Sequence, residues 1–419
     1  MQNKLRQLIH LLMKKYFQWR YWSHLYRNMV KQVKSNNEQL NKELIPYMNK
    51  PGIALSFDDS YRVNDWYKYG KNIFGYYDVK VTFNMNGVHP LEENREHIQQ
   101  EIDKLLELQA NGHELAHHSF RHKDATEYSA AYGYDRWMEE EIITLFNWME
   151  KQSHSKTKER FKKPVIFAFP HFKCNDLTLR KLIPKYFKIA RGHLDKDNLT
   201  SFNHSGFAPS ICLDTYYACN VNYLKKMIKL AKKTGKNLIL TCHSILPENV
   251  NRDHIGKGKK AEKWGNWRVS PELIQRIIDI GRKYDMEFYT TSEIAGIATF
   301  IDYNFERAVR EKISNPDRWI DIADLTKVKE LDLSNKGISN LDGLEYFLNV
   351  EKLNLSNNSI SDFRLLKKLP KLKHVNTENN SLDHSKNVKR YSSLVKSSFL
   401  LLALKVTPFV KVFHFPEWS

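Results

Sequence analysis

Apolar and polar residues follow two different periods between residue 51 and about residue 300. Short apolar runs predict strands, and longer segments with apolar residues three and four positions apart predict helices. The predicted strands are Ile53–Phe57, Val79–Met85, Glu114–His118, Val165–Phe169, Phe187–Ala190, Leu238–Thr241 and Glu287–Thr290. The predicted helices are Glu92–Ala110, Trp137–Lys151, Leu177–Tyr186, Tyr223–Thr234 and Pro271–Tyr284. This alternation predicts a parallel α/β architecture, and the number of strands favours a barrel.

A third period, of 22 residues, begins at about residue 325. The repeated apolar positions are Val328, Leu331, Leu333 and Ile338, then Val350, Leu353, Leu355 and Ile360, then Leu372, Val375, Thr377 and Leu382. Asn358 and Asn380 occupy a turn position that Lys336 occupies in the first copy. The pattern resembles a short leucine-rich repeat solenoid, which could bind a protein partner. Because end repeats must be capped, we expect caps at Trp319–Leu325 and at 384–419.

Both ends of the chain are basic. Residues 1–50 carry ten Lys/Arg and two Glu, and residues 384–419 carry six Lys/Arg and one Glu, so the ends hold +13 of the formal charge of +18. This distribution favours basic arms that contact an anionic surface, such as a membrane, over a nucleic-acid-binding core. The first 50 residues predict one or two aromatic-rich helices. Two interpretations stay open: peripheral contact with a membrane interface, and packing on the following domain.

These patterns divide the chain into five predicted parts. They are a basic helical segment (1–50), an α/β barrel domain (51–305), a linker with a repeat cap (306–327), the repeats (328–383) and a basic, apolar tail (384–419). The four cysteines form no CxxC pair, which argues against a zinc knuckle or a disulfide framework. We recognise no signal peptide or transmembrane helix. We therefore expect a cytoplasmic protein, with the inner membrane face as a peripheral location.

Polar residues follow several of the predicted strands. The segment Ser56–Ser60 places two adjacent carboxylates at the end of a buried strand, where they need a metal or a cationic partner. His118 and His122 are four residues apart and could bind the same ion. Two histidines and one carboxylate form a catalytic ligand set with an open position, and either Asp58 or Asp59 offers that carboxylate. In an α/β barrel such residues gather at the carboxyl ends of the strands.

Four segments, taken together, resemble the motifs of the polysaccharide deacetylase family (NodB homology, carbohydrate esterase family 4). Ser56–Ser60 resembles the first motif, Gly112–His122 the second, Phe167–His171 the third and Leu240–His243 the last. Their order and approximate spacing agree across about residues 51–300. The resemblance implies a deformed (β/α) barrel of the NodB type, here with an N-terminal basic helical segment and a C-terminal leucine-rich repeat solenoid.

The resemblance also implies a role for each motif residue. Asp59, His118 and His122 would ligate one divalent metal ion, with Zn²⁺ as the expected ion. Asp58 would be the general base that deprotonates the attacking water, and His243 would be the general acid that protonates the leaving amine. The implied reaction is de-N-acetylation of an amino sugar in a glycan, a glycolipid or a sugar precursor.

The third motif departs from the family pattern. The arginine that braces the base in one branch of the family is Ala168 here, and Arg191, which follows a predicted strand, is the candidate replacement. His171 stands where the family has an aromatic residue. A backbone N–H after Pro170 would help to stabilise the oxyanion.

Two further residues are candidates for the site. Asp214 could orient His243, or it could be an ordinary turn residue. Trp267, which with Trp264 flanks a Gly-Asn pair, could stack on a sugar ring or pack within a loop. Two alternative functions also stay open, namely a carbohydrate- or protein-binding module with a degenerate barrel, and a deformylase that acts on an amino sugar.

Overall fold

Parallel strands, each followed by helical segments, build the first part of the fold. The computed structural model describes residues 2–35, 50–90, 92–192, 198–201, 204–250, 267–315 and 319–381. The main strands are β1 (Gly52–Phe57), β2 (Thr82–Met85), β3 (Glu114–His117), β4 (Ile166–Ala168), β5 (Ile189–Gly192), β6 (Gly206–Pro209), β7 (Ile211–Cys212), β8 (Leu238–Cys242) and β9 (Glu287–Phe288). Short two-stranded pairs are Val88–His89 with Arg95–Glu96, Ser244–Ile245 with Arg268–Val269, and Ile297–Ala298 with Ile320–Asp321.

The main strands curl into a nearly closed barrel. Their order is β6-β5-β4-β3-β2-β1-β8-β7, every neighbouring pair is parallel, and β9 adds to the start of β1. The two end strands of this path, β6 and β7, are separated in the chain by Ser210 alone, so the ends of the sheet meet. The predicted NodB-type barrel is therefore confirmed.

Helices cover the outside of the barrel and lead into the repeats. They are α1 (Gln2–Ser35), α2 (Lys71–Tyr77), α3 (Gln99–Ala110), α4 (Ala125–Tyr132), α5 (Thr144–Lys151), α6 (Asp176–Leu182), α7 (Val221–Thr234), α8 (Pro271–Lys283), α9 (Thr291–Ile294), α10 (Tyr303–Ile313) and α11 (Ile322–Leu325). A helical turn at Tyr134–Trp137 and a π-helical segment at Met138–Ile143 run directly into α5. Ser270 caps the start of α8, because its hydroxyl accepts a hydrogen bond from the Leu273 N–H at 3.2 Å.

Two predicted helices had wrong bounds, and two strands were not predicted. The helix predicted from Glu92 begins only at Gln99, because Arg95–Glu96 pairs with a short strand instead. The helix predicted to reach Tyr186 ends at Leu182, since a residue that precedes a proline, here Pro184, is disfavoured in helical conformation. Strands β6 and β7 were missed because neither shows a periodic pattern of apolar residues. The sequence of β6 is Gly-Phe-Ala-Pro, and β7 has only two residues.

Side chains of each strand alternate between the barrel interior and the helical layer. In β1, the side chains of Ile53, Leu55 and Phe57 belong to the core between strands and helices. Ala54 belongs to a separate core, and Ser56 and Asp58 hydrogen-bond to an interior side chain. The strand register therefore turns the polar residues at the carboxyl end into the barrel mouth.

The 22-residue repeats form a stack of parallel strands. These are β10 (Glu330–Asp332), β11 (Lys352–Asn354) and β12 (His374–Asn376), with Leu331, Leu353 and Val375 in register. The Asn358 side chain accepts from the Lys336 and Ile338 N–H groups at 3.1 and 3.0 Å. Its amide donates to backbone carbonyls of the preceding and its own repeat at 2.8 and 2.9 Å. The predicted solenoid is confirmed up to residue 381, and the predicted cap at 384–419 lies outside the described residues.

The repeats pack at the amino-terminal end of the barrel. One continuous apolar core runs from Ala54 in the barrel interior, through Phe305 of α10, to Leu353 in the repeats. Just before β2, the Lys80 ammonium pairs with Asp342 and, at 3.3 Å, with Glu345. The repeats thus close the end of the barrel opposite the carboxyl ends of its strands.

Helix α1 packs on the barrel through its second half. Trp22, Leu25 and Met29 are buried there against α7 and its surroundings. The Trp22 indole N–H donates to the Tyr217 carbonyl at 3.0 Å. Of the two interpretations of the N-terminal segment, packing on the following domain therefore applies to the second half of α1. Apolar side chains of the first half stay exposed.

Candidate active site

The two carboxylates after β1 point in different directions because the backbone changes conformation between them. The Asp58 N–H donates to the Cys242 carbonyl at 2.8 Å, which extends the ladder between β1 and β8. Asp59 then adopts a left-handed conformation, with φ of 74°. Both side chains are buried at the barrel mouth, 2% and 0% exposed.

One oxygen of Asp59 faces two imidazole nitrogens. Asp59 Oδ1 lies 3.6 Å from His118 Nε2 and 3.2 Å from His122 Nε2. This oxygen is buried and accepts no hydrogen bond from any residue that the structure describes. His118 Nδ1 donates to the Ala168 carbonyl at 2.8 Å, so a neutral His118 turns the lone pair of Nε2 towards the carboxylate.

Such an arrangement needs a cation. Burial, the largest influence, lowers the pKa of His122 to about 3, so this imidazole is neutral at physiological pH. Burial alone would raise the pKa of Asp59, but the nearby charges of His243 and Arg62 help to hold it well below its usual value. Two imidazole nitrogens and one carboxylate oxygen that converge in a buried site match the donor set of a divalent metal ion.

The other oxygen of Asp59 is held by its own chain neighbours. The Tyr61 hydroxyl donates to Oδ2 at 2.7 Å, and the Arg62 guanidinium lies 3.4 Å from it. Arg62 is itself buried and donates to the Ser244 hydroxyl at 2.5 Å. These contacts fix the rotamer of Asp59 and leave Oδ1 for a ligand. Sequence reasoning missed both residues, although an arginine three positions after a buried carboxylate was a readable signal.

Asp58 is paired with Arg191. Its Oδ1 accepts hydrogen bonds from the Asn84 amide at 2.8 Å and from the Arg191 guanidinium, with which it forms a close ion pair. Arg191 also donates to the Thr241 hydroxyl at 3.1 Å and is 1% exposed. Arg191 therefore lies where a brace for Asp58 is needed, and Asn84 is a second partner that sequence reasoning missed.

His243 is held by Asp214 on the opposite side of the cluster. His243 Nδ1 lies 2.5 Å from Asp214 Oδ2, and the His243 N–H donates to Asp214 Oδ1 at 3.1 Å. Nδ1 is thereby the donor to the carboxylate, and Nε2 is directed towards Asp59, 3.9 Å from Oδ2. Burial opposes protonation of His243, but the charge and hydrogen bond of Asp214 outweigh it and raise the pKa of His243 above its usual value.

Cys212 completes a second group of close donors with Asp214 and His243. Its thiol donates to Asp214 Oδ2 at 3.1 Å. Burial raises the pKa of the Cys212 thiol well above its usual value, so the thiolate that metals prefer is disfavoured. This group therefore fits a bracing network better than a second metal centre.

Aromatic and imidazole rings line the rim. The Trp267 indole is stacked on the Tyr216 ring, with centroids 5.0 Å apart and planes 9° apart, and lies 5.0 Å from the His243 ring. Across the mouth, the exposed His171 ring, which follows Pro170, lies 4.6 Å from the His122 ring. The second tryptophan of the predicted loop, Trp264, lies outside the described residues.

Comparison with known proteins identifies this part of the chain. Residues 46–183 match the family model described as polysaccharide deacetylase. The chain contains a polysaccharide deacetylase domain. The matched residues include Asp58, Asp59, His118 and His122 and end before His243. No curated protein matches the sequence significantly.

Several solved structures resemble parts of the chain. The Xyl-CE4 domain of a multidomain xylanase from the hindgut metagenome of Trinervitermes trinervoides shares 18% identity over 59% of this chain and 90% of that one, with a TM-score of 0.34. The catalytic domain of peptidoglycan N-acetylglucosamine deacetylase from Eubacterium rectale shares 13% identity over 62% and 95%, with a TM-score of 0.35. Internalin C2 from Listeria monocytogenes shares 29% identity over 23% and 42%, with a TM-score of 0.21. The chain thus spans less than half the length of that internalin.

Left-handed backbone conformations cluster at the mouth of the deacetylase domain. Besides Asp59, the φ angle is positive at Ser119 (63°), His122 (58°), His171 (55°) and Phe172 (60°). Non-glycine residues rarely adopt this conformation, which costs of order 1–3 kcal/mol each and persists where the surroundings enforce it. The packing around these residues therefore holds this backbone in place.

Two other histidines of the second motif lie away from the cluster. His117 Nε2 donates to the Ile142 carbonyl at 3.1 Å, and its ring packs among aromatic side chains of the core. His113 Nδ1 accepts from the Val81 N–H at 3.3 Å. Burial lowers the pKa of each histidine to about 3, as expected for neutral structural imidazoles.

The Asp214→Asn variant should shift the pH dependence of the deacetylase domain. Asp214 raises the pKa of His243, so His243 keeps its proton at higher pH than a free imidazole would. Without that charge, the alkaline limb of kcat/KM moves to lower pH, and the rate at neutral pH falls by at least about tenfold. Cys212→Ser, which leaves Asp214 in place, is the control and should move the limb little. If the alkaline limb of kcat/KM stays in place in Asp214→Asn, Asp214 does not control the protonation of His243.

Proposed function

We propose that the deacetylase domain removes the acetyl group from an N-acetylated amino sugar by metal-dependent hydrolysis. The observation that carries the proposal is Asp59 Oδ1, a buried carboxylate oxygen without a donor that faces His118 Nε2 and His122 Nε2. A single divalent ion would satisfy all three groups, and Zn²⁺ suits a set of two imidazoles and one carboxylate. Bound there, the ion would supply Lewis acidity at the amide carbonyl and lower the pKa of a water ligand.

The residues on either side of this cluster have complementary roles in the proposed reaction. Asp58 accepts the proton of the attacking water, and its contacts with Arg191 and Asn84 keep the carboxylate in place. His243 is the general acid that donates the proton on Nε2 to the leaving nitrogen. Its pairing with Asp214 supports this role, because the raised pKa favours the protonated imidazole. The backbone N–H of His171 would stabilise the oxyanion.

The rim supports a sugar as the substrate. Trp267 and Tyr216 stack on one another next to His243, and Tyr216 is 58% exposed. Aromatic faces offer apolar contact area for a pyranose ring together with polar edges. The sugar would belong to a polysaccharide, a glycolipid or a sugar precursor, with acetate and a free amine as products.

An acetate-release assay tests the proposal. Purified full-length protein, loaded with Zn²⁺, is incubated with a panel of N-acetylated glycans, glycolipids and nucleotide sugars, and both acetate and formate are measured. We expect acetate from at least one class, and a loss of at least about 100-fold in Asp58→Asn and His243→Ala. Formate from N-formylated analogues alone would identify a deformylase. Neither product, together with no stoichiometric metal in the purified protein and none taken up on adding Zn²⁺, would favour a carbohydrate- or protein-binding module.

A further inference from the structure

The first half of α1 carries an exposed apolar face. Its apolar side chains at positions three, four and seven apart are 48–57% exposed: Ile9, Leu12, Met13, Tyr16, Phe17 and Trp19. At about 100° per residue these positions lie on roughly the opposite side of the helix from Trp22, Leu25 and Met29, which pack on the barrel. An apolar face of this size on a basic helix indicates a binding surface.

Basic residues continue the same face along the second half of α1. Arg20, Arg27, Lys31 and Lys34 are exposed and lie on the side of the helix that carries the apolar face. The sequence of α1 contains eight Lys/Arg and no Asp or Glu. The face is therefore apolar in its first half and positively charged in its second half.

The positive charge of α1 indicates which of two partners, a second copy of the chain or a lipid surface, fits this face. A second copy of the chain would bring like charges together, because α1 has no acidic residue that could pair with the basic ones. An anionic lipid surface matches both halves, since aromatic and aliphatic side chains enter the headgroup region while Lys and Arg contact the headgroups. We propose that α1 binds the surface of an anionic membrane. Among the residues that the structure describes, no helix is both long and apolar enough to cross a membrane.

The same helix touches the rim of the active site. Tyr21 stacks on Tyr217 at 5.1 Å, and the Trp22 indole donates to the Tyr217 carbonyl. The Tyr217 ring lies 6.1 Å from Trp267, which contacts His243. A surface bound by α1 would therefore lie beside the barrel mouth. If the proposed deacetylation holds, on which this step rests, the substrate is an amino sugar attached to a lipid at that surface.

Vesicle sedimentation with the full-length protein tests the membrane contact. We expect binding to vesicles that contain phosphatidylglycerol and much weaker binding to phosphatidylcholine vesicles. Phe17→Glu/Trp19→Glu should weaken binding by at least about tenfold. These substitutions replace two aromatic side chains with carboxylates, which have the same charge as the phosphatidylglycerol headgroups. The matched control is Tyr76→Glu/Tyr303→Glu, since these aromatic residues are 83% and 72% exposed outside α1. This control should bind as the unmodified protein does.

A second pair of variants separates charge from apolar contact. Lys31→Glu/Lys34→Glu should weaken binding to anionic vesicles by at least about tenfold, and added salt should weaken binding of the unmodified protein. The control, Lys329→Glu/Lys371→Glu, reverses exposed charges on the repeats and should change little. Equal binding to both vesicle types, or full binding by both α1 variants, would overturn the proposal. Vesicle binding with acetate release from other N-acetylated sugars, but none from a lipid-linked amino sugar, would leave the membrane contact standing and count against the lipid-linked substrate. Vesicle binding without acetate release from any class of sugar would count against the proposed function.

Discussion

The Asp59→Ala variant is expected to lose both stoichiometric metal and acetate release. Asp59 Oδ1 is the only anionic donor that faces His118 and His122 among the described residues within this cluster. Its removal leaves only the two imidazoles, which hold a divalent ion much more weakly. We expect the rate to fall by at least about 1000-fold, because the ion supplies several kcal/mol of transition-state stabilisation. Metal content measured on the purified protein provides a readout that does not depend on substrate.

Thermal unfolding gives a second, independent measurement. A ligand that binds only the folded state stabilises it by about 4 kcal/mol at 1000 times its Kd, so Zn²⁺ should raise the Tm of the unmodified protein. The Tm of Asp59→Ala should not respond. Tyr61→Phe is the matched control, because it removes a hydrogen bond to Oδ2 and leaves Oδ1 intact. It should keep its metal and lose about 1 kcal/mol of stability. A normal metal content in Asp59→Ala would contradict the assignment of the ligand.

The sequence was most informative where one residue type has to recur at a fixed interval. The 22-residue period predicted the repeats because each Asn of the ladder bonds the backbone of the neighbouring turn, as Asn358 and Asn380 do. The motif residues at the strand ends were predictable for a similar reason. Parallel strands of a barrel bring their carboxyl ends together, so Asp58, His118 and His243 had to lie close to one another if the strands were right.

The partners that hold these residues were harder to predict. Asn84 lies 26 positions from Asp58, and Arg191 lies 133 positions from it. Arg191 was a candidate only because it follows a predicted strand and the resemblance calls for an arginine beside the base. Asn84 carried no such signal, because its pairing with Asp58 depends on the strand order and on which residues of each strand face inwards. The same limit explains the missed strands β6 and β7, whose pairing at the closing edge of the barrel is not encoded by an apolar period of their own.

Arg191→Gln is expected to cost both stability and catalysis. Asp58 is 2% exposed, and Arg191 is its charged partner in the described part of the site. Removing one member of a buried ion pair leaves an uncompensated charge and typically costs about 3–5 kcal/mol. The carboxylate also loses the contact that orients it towards the water. We therefore expect kcat to fall by at least about 100-fold, with little change in KM, because Arg191 is 1% exposed and would act through its contact with Asp58.

Two further variants separate these effects. Asp58→Asn/Arg191→Gln removes both charges, so it should recover most of the lost stability measured by denaturant unfolding, while acetate release stays abolished. Arg180→Gln replaces an exposed arginine on α6 and should change the free energy of unfolding by no more than about 0.5 kcal/mol. If Arg191→Gln loses stability yet keeps its kcat, Arg191 only balances a buried charge. A loss of kcat at unchanged KM in protein that remains folded would identify Arg191 as the residue that positions the base.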